Sequence, residues 1–299
     1  MTVFLNGKFV AEERAVVSVF DRSFLYGDGL FETMRVLGGR PFRWEQHLER
    51  LERGAKFLKI RLPFGSEKLR SFASQLIAKN RMPDALLRLT LSRGVGIRGY
   101  SPNGAEEPSL AMSLHPAPPD DPQSPPRWRL VTASFRLPAR EPLAQFKTCN
   151  KLPQILARAQ ADAAGADEAL LLNTDGFVVE GASSNLFWIQ RGRICTPPLA
   201  SGILAGVTRA VVAELCRGLG FRMAERDITP EQLARTEGVF LSLSSVGIAE
   251  GVSLDGLALQ VSPRVAQLRT AYAKLLRGER TRAAGRTETR RGAKSTNRE

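Results

Sequence analysis

The chain has 299 residues, enough for two modest hydrophobic cores, and its 43% hydrophobic and 24% charged residues are those of an ordinary soluble globular protein. Its three cysteines (Cys149, Cys195, Cys216) and two histidines (His47, His115) show no metal-ligand spacing, so no metal site or disulfide framework is expected and a reducing compartment fits. Of the net charge of +13, the last 23 residues carry +5 and the rest +8, which favours small acidic substrates; no aromatic interleaving or docking motif accompanies it, so specific nucleic-acid binding is not expected.

The chain opens on MTVFLNGKFV, with no basic leader ahead of an apolar core, and no apolar run approaches the roughly 20 residues of a membrane span. A cytoplasmic protein is the expectation. Val3-Phe4-Leu5 and Lys8-Phe9-Val10 flank Asn6-Gly7, the strongest signal for a two-residue hairpin. Leu30 to Val36 reads as a strand, Gly38-Gly39-Arg40 as a turn, and Trp44 to Leu58 as a helix with Leu48, Leu51, Ala55 and Leu58 on one face. Periodicity alone makes Arg50, beside Leu51, a solvated side chain. Strands Ala85 to Ser92 and Ser109 to His115 surround the loop RGVGIRGYSP. The proline-rich segment that follows suits neither helix nor central strand, so residues 116–126 are expected to link a first domain, 1–115, to a second, 127–276.

The second domain begins with a strand from Arg127 to Phe135. A helix is expected over Leu152 to Ala164, with Pro153 tolerated in its first turn. Glu168 to Leu172 reads as a buried strand, Asn173 to Gly176 as its turn, and Phe177 to Val179 as the return strand that delivers Glu180. A strand from Asn185 to Gln190 leads into a loop of Gly, Pro and small residues ending at Gly206-Val207-Thr208, just before the amphipathic run Ala210 to Leu219. Such a helix start suits an anion, because its N–H groups and partial positive charge point outward. Thr229-Pro230-Glu231-Gln232 is a capping box, Gly238 to Ser245 a strand, and Ser262-Pro263 the start of the last helix. Residues 277–299 hold eight basic side chains against three acidic ones and almost nothing apolar, so a basic disordered tail is expected there. Mixed strands and helices in two successive halves make the fold class α+β.

The segments YGDGLFET (Tyr26 to Thr33), HLERL (His47 to Leu51), KTCNKL (Lys147 to Leu152), EGASSNLF (Glu180 to Phe187) and GILAGVTR (Gly202 to Arg209) follow one another along the chain. In order and spacing these five resemble the class IV aminotransferases, the fold-type IV pyridoxal-phosphate enzymes. The resemblance spans nearly all of residues 1 to 275. It implies a small N-terminal α+β domain, a larger C-terminal pseudobarrel domain, bound pyridoxal 5'-phosphate and a homodimer.

The resemblance also implies roles. Lys147 would hold the cofactor as a Schiff base and move protons, with Lys151 as the rival, since the residues alone do not choose between the two lysines. Glu180 would keep the pyridine nitrogen protonated, which makes the ring an electron sink. Arg50, the Val207 and Thr208 N–H groups, the Thr208 hydroxyl and a hydroxyl from FLSLSS, Ser244 or Ser245, would meet the phosphate, and Leu204 would pack on the ring. Tyr26, Arg98 and Tyr100 would face the substrate. The motif Arg98-Gly99-Tyr100 resembles 4-amino-4-deoxychorismate lyases, whereas D-amino-acid aminotransferases carry histidine in place of that tyrosine. The expected reaction is therefore the release of pyruvate from 4-amino-4-deoxychorismate to leave 4-aminobenzoate, in folate synthesis. The alternative is amino transfer on branched-chain or D-amino acids.

Overall fold

The computed structural model describes residues 1–119 and 123–295, the side chains of 282–295 excepted. The chain divides into two compact units, Met1–Ala117 with Thr148–Asn150 and Ala273–Glu299, and Pro118–Lys147 with Lys151–Tyr272. The sequence reading had contiguous domains. Thr148–Asn150 joins the first unit because Thr148 bridges to Leu30 and the Cys149 N–H donates to the Gly29 carbonyl at 2.8 Å.

The first unit contains strands β1 (Thr2–Leu5) and β2 (Lys8–Ala11), the short helix α1 (Arg22–Tyr26), strands β3 (Gly29–Leu37) and β4 (Arg40–Pro41), and helices α2 (Trp44–Leu58) and α3 (Ser66–Asn80). Strands β5 (Ala85–Ser92) and β6 (Ser109–His115) complete it. The six strands form one antiparallel sheet in the order β2-β1-β6-β5-β3-β4. The expected hairpin turns at Asn6 and Gly7, whose φ angles of 47° and 90° are the left-handed pair that a two-residue turn needs. Alternate residues of β5, from Ala85 through Leu87 and Leu89 to Leu91, are fully buried, as a half-buried strand demands. Helix α2 buries Trp44, Leu48, Leu51 and Ala55 at helical spacing, but His47 and Arg50 are buried as well.

The second unit runs through β7 (Arg127–Leu137), α4 (Leu152–Ala163), β8 (Glu168–Asn173), β9 (Val178–Gly181), β10 (Asn185–Gln190), β11 (Arg193–Thr196), α5 (Val207–Gly218), β12 (Met223–Glu225), α6 (Pro230–Leu233), β13 (Gly238–Leu243), β14 (Gly247–Leu254) and β15 (Leu257–Ala258). The last helix is α7 (Pro263–Ser295). Strands β10, β13, β14, β7, β8 and β9 follow one another around a ring, and a bridge from β9 back to β10 closes it. This is the pseudobarrel that the resemblance implies, with β11, β12 and β15 as outliers. Every residue of β8 is buried, because its alternate side chains face two different cores: Leu170 and Leu172 pack with Leu186, Trp188 and Leu241, while Ala169 and Leu171 pack with Ala157, Ala161 and Ile203. Disorder is the expectation from residue 277, whereas the backbone is helical to Ser295. Residues 296–299 lie outside the described residues.

Candidate active site

In the second unit, candidate residues gather where the barrel closes. Strand β9 carries a bulge: Val178 pairs with Leu172 and Glu180 with Leu171, which leaves Val179 as the extra residue. In unbroken register Glu180 would share the face of Val178, among the apolar side chains of Leu170 and Trp188; the bulge moves it to the face of Leu171. Glu180 and Asn185 are themselves the pair that closes the ring.

Glu180 Oε2 accepts a hydrogen bond from the Leu204 N–H at 3.0 Å and one from Asn185 Nδ2 at 3.4 Å. Asn185 Nδ2 also donates to the Leu204 carbonyl at 2.9 Å, so one side chain ties the loop to the closing strands. A methyl group on Gly206 would stand 1.9 Å from Asn185 Oδ1, which is why this position takes glycine. Burial pushes the Glu180 carboxyl up to about 7, against the pull of the Leu204 N–H and the charges of Lys151 and Lys147. Both lysines are half-buried in their own unit, and both act on Glu180.

Helix α5 starts at Val207 behind Gly206, with no side chain capping it and no acidic residue in its first turn. Val207 and Thr208 are buried there. Thr208 Oγ1 lies 3.5 Å from Ser244 Oγ, in the turn between β13 and β14 that also carries Ser245. An uncapped helix start beside two hydroxyl groups is a receptor for a phosphate. A carboxyl of raised affinity for protons complements a basic ring nitrogen. With a half-buried amine nearby, this donor set fits pyridoxal phosphate. Sequence reasoning missed Glu168, fully buried at the head of β8. Its Oε2 accepts from the Ser183 N–H and hydroxyl at 3.2 and 2.8 Å and from the Ser184 hydroxyl at 3.0 Å, clamping the turn between Glu180 and Asn185.

The first unit holds the remaining candidates. Arg50 is buried rather than solvated: its Nε and Nη2 donate to the two oxygens of Glu32 at 2.8 and 2.6 Å, and His47 Nδ1 lies 2.7 Å from Glu32 Oε2. Burial pushes the Glu32 carboxyl up, but the Arg50 charge and hydrogen bonds outweigh it and hold the group well below the usual carboxylate range. Tyr26 and Tyr100 meet in a second cluster, with Arg98 on the same loop as Tyr100. The Tyr26 hydroxyl accepts from the Gly99 N–H at 3.2 Å, and its ring meets Tyr100 edge-on at 5.6 Å. Arg98 and Tyr100 are exposed within this chain. No helix is long and apolar enough to cross a membrane among the described residues.

The family model for amino-transferase class IV matches residues 29–254. A Methanocaldococcus jannaschii protein assigned as a branched-chain-amino-acid aminotransferase is 37% identical over 86% of this chain and 88% of its own. The branched-chain aminotransferase of Thermoproteus uzoniensis, solved with norvaline, superposes with a TM-score of 0.86 at 30% identity, covering 95% of this chain and 97% of its own. A 4-amino-4-deoxychorismate lyase from Pseudomonas aeruginosa is 36% identical, with a TM-score of 0.79 over 90% of this chain and 97% of its own. These likenesses correct the expected lyase reaction. Of these three, the 37% identity and the TM-score of 0.86 belong to aminotransferases, and a three-residue loop motif does not outweigh a likeness of that extent.

Proposed function

This chain belongs to the class IV aminotransferase family, and on that premise we propose that it moves an amino group between an α-amino acid with an apolar, branched-chain-type side chain and a 2-oxo acid. Its cofactor is pyridoxal 5'-phosphate. The observation that carries the reading is the seam itself: one carboxyl with affinity for a proton near neutrality, fixed by the Leu204 N–H, with two lysine amines acting on it.

When bound, the cofactor supplies an aldehyde carbon that takes up the amino group and a pyridinium ring that draws electrons from the substrate α-carbon. Glu180 would lie at the ring nitrogen and hold the proton there. Thr208, Ser244 or Ser245, the Val207 and Thr208 N–H groups and Arg50 would hold the phosphate, and Leu204 would pack on the ring. Glu32 holds Arg50 at two points, so that arginine would arrive already oriented. Lys147 Nζ, neutral, would take the α-proton from the amino acid and return it as the ammonium form. Tyr26, Arg98 and Tyr100 would hold the substrate carboxylate. Exposed Val16, Val19, Phe20 and Phe24 support a homodimer in which a second copy covers them, and cysteines that form no disulfide with one another support a cytoplasmic setting.

The test combines product analysis with absorption. L-leucine and 2-oxoglutarate should yield glutamate, and the visible absorption of the loaded protein should vanish in Lys147→Ala and persist in Lys151→Ala. Pyruvate released from 4-amino-4-deoxychorismate with no amino acceptor, together with no turnover of L-leucine, would overturn the reading.

A further inference from the structure

The guanidinium of Arg22 makes four hydrogen bonds within the first unit, and no role above uses it. It is buried at the first position of α1, with its side chain 4% exposed. Its Nε donates to Asp28 Oδ2 at 2.8 Å. Its Nη1 donates to the carbonyls of Gly99 and Ser101 at 2.9 and 3.1 Å, and its Nη2 to that of Tyr100 at 3.1 Å. Three consecutive carbonyls thus converge on one side chain. Gly99, at φ +112°, supplies a backbone turn that other residues rarely adopt. The N–H of Gly99 is held from the other side by the Tyr26 hydroxyl, and Arg22 Cζ lies 5.1 Å from the Tyr26 ring centre.

Asp28 anchors the arrangement. Its Oδ2 also accepts from Arg93 Nε at 2.7 Å and its Oδ1 from Arg93 Nη2 at 3.1 Å, while Arg93 donates to the Leu58 and Lys59 carbonyls where α2 ends. Loop and helix end therefore share one carboxylate. Burial pushes the Asp28 carboxyl up, but Arg93 and Arg22 overcome this and keep it ionised. Only arginine presents a planar fork with enough donors to meet an aspartate and three carbonyls at once.

We propose that Arg22, anchored on Asp28, is a positioning residue that holds the Gly99–Ser101 backbone so that Arg98 and Tyr100 form a ready-made grip for an amino-acid carboxylate. The proposal rests on the reading that Arg98 and Tyr100 meet the substrate. Preorganisation of this kind lowers the cost of binding and leaves the proton transfer untouched. Its signature is a change in KM without a matching change in kcat.

The test uses the loaded enzyme with L-leucine and 2-oxoglutarate, comparing Arg22→Met, Arg22→Lys and Arg98→Ala, with hydrogen exchange of the 98–101 amides as a readout that needs no substrate. Arg22→Met should raise KM for L-leucine at least tenfold with kcat within threefold, leave cofactor absorption intact and speed exchange in 98–101. Arg22→Lys retains the charge and the Asp28 pair but not the fork, so it should exchange faster than wild type with a smaller rise in KM. It also serves should the methionine variant not fold. Unchanged KM in both Arg22 variants, with KM raised in Arg98→Ala, would overturn the clamp and leave the carboxylate reading standing. Unchanged KM in Arg98→Ala would overturn that reading and the proposal with it. Loss of kcat and cofactor absorption in parallel with KM would make Arg22 merely structural.

Discussion

Replacing Glu180 with glutamine in the cofactor-free protein should make it more stable, by an amount that grows with pH. The native carboxyl binds its proton more tightly than the unfolded one, with a value raised from 4.5 to about 7. Protonation therefore favours the fold fully below about pH 4.5, and that contribution is lost as pH rises through about 7. At about 1.4 kcal/mol per unit, the full window is worth about 3.5 kcal/mol at most, and the partial exposure of the residue reduces it. Glutamine has no proton to lose and still offers an oxygen to the Leu204 N–H, whose bond to Glu180 is 3.0 Å. Urea titrations followed by tryptophan fluorescence, at fixed protein concentration from pH 5 to 8.5, should show Glu180→Gln level with wild type at the acid end and ahead of it at the alkaline end. A difference independent of pH, or one favouring wild type above pH 7, would refute the burial argument. In the loaded protein the preference should reverse if Glu180 meets the ring nitrogen as proposed, because a ring cation there would stabilise the ionised carboxylate and not the amide.

Three further substitutions probe the supports. Glu32→Ala should destabilise the protein by about 3–5 kcal/mol, measured by urea unfolding, since it leaves Arg50 buried without the carboxylate that takes its Nε and Nη2. Gly206→Ala drives a methyl group into Asn185 Oδ1 and displaces the side chain that ties Leu204 to Glu180. Fluorescence titration with pyridoxal phosphate should show Kd raised at least tenfold, about 1.4 kcal/mol, and wild-type affinity would refute the tie. Thr208→Val keeps the shape and removes the hydroxyl, so affinity for the phosphorylated cofactor should fall by roughly 1.5–3 kcal/mol while thermal stability stays near wild type.

The elements legible in the sequence are those whose signal is local. Strands Ala85–Ser92 and Ser109–His115 and helix Trp44–Leu58 have the bounds that alternation and helical spacing predict, and the Asn6-Gly7 turn follows from two residues. The polar interior was not legible, because its partners are far apart in the chain. Nothing adjacent in the sequence singles out Arg22, because the carbonyls it holds are 77 to 79 residues away. Arg50 lies beside the apolar stripe of α2, and periodicity therefore put it in solvent. A signal was nevertheless present: Glu32 stands in the middle of the strand Gly29–Leu37, and a carboxylate at that depth requires cations. The nearest basic residues at helical spacing, His47 and Arg50, are the ones that supply them.

The same distinction between local and distant signals explains why the cofactor was legible and the reaction was not. In the proposed site a lysine, a glutamate and an uncapped helix start would answer to the coenzyme, whichever reaction follows, so five motifs in register point to the family and its cofactor and say nothing about the bond that is broken. Reaction choice depends on how the substrate is held over that machinery, and here the loop around Tyr100 takes its shape from Arg22 and Asp28 rather than from its own three-residue motif. A motif supported from outside itself is compatible with more than one geometry. The Arg98-Gly99-Tyr100 sequence was therefore poor evidence for the lyase, and likeness across the whole chain, which samples the supports as well as the loop, was the better guide.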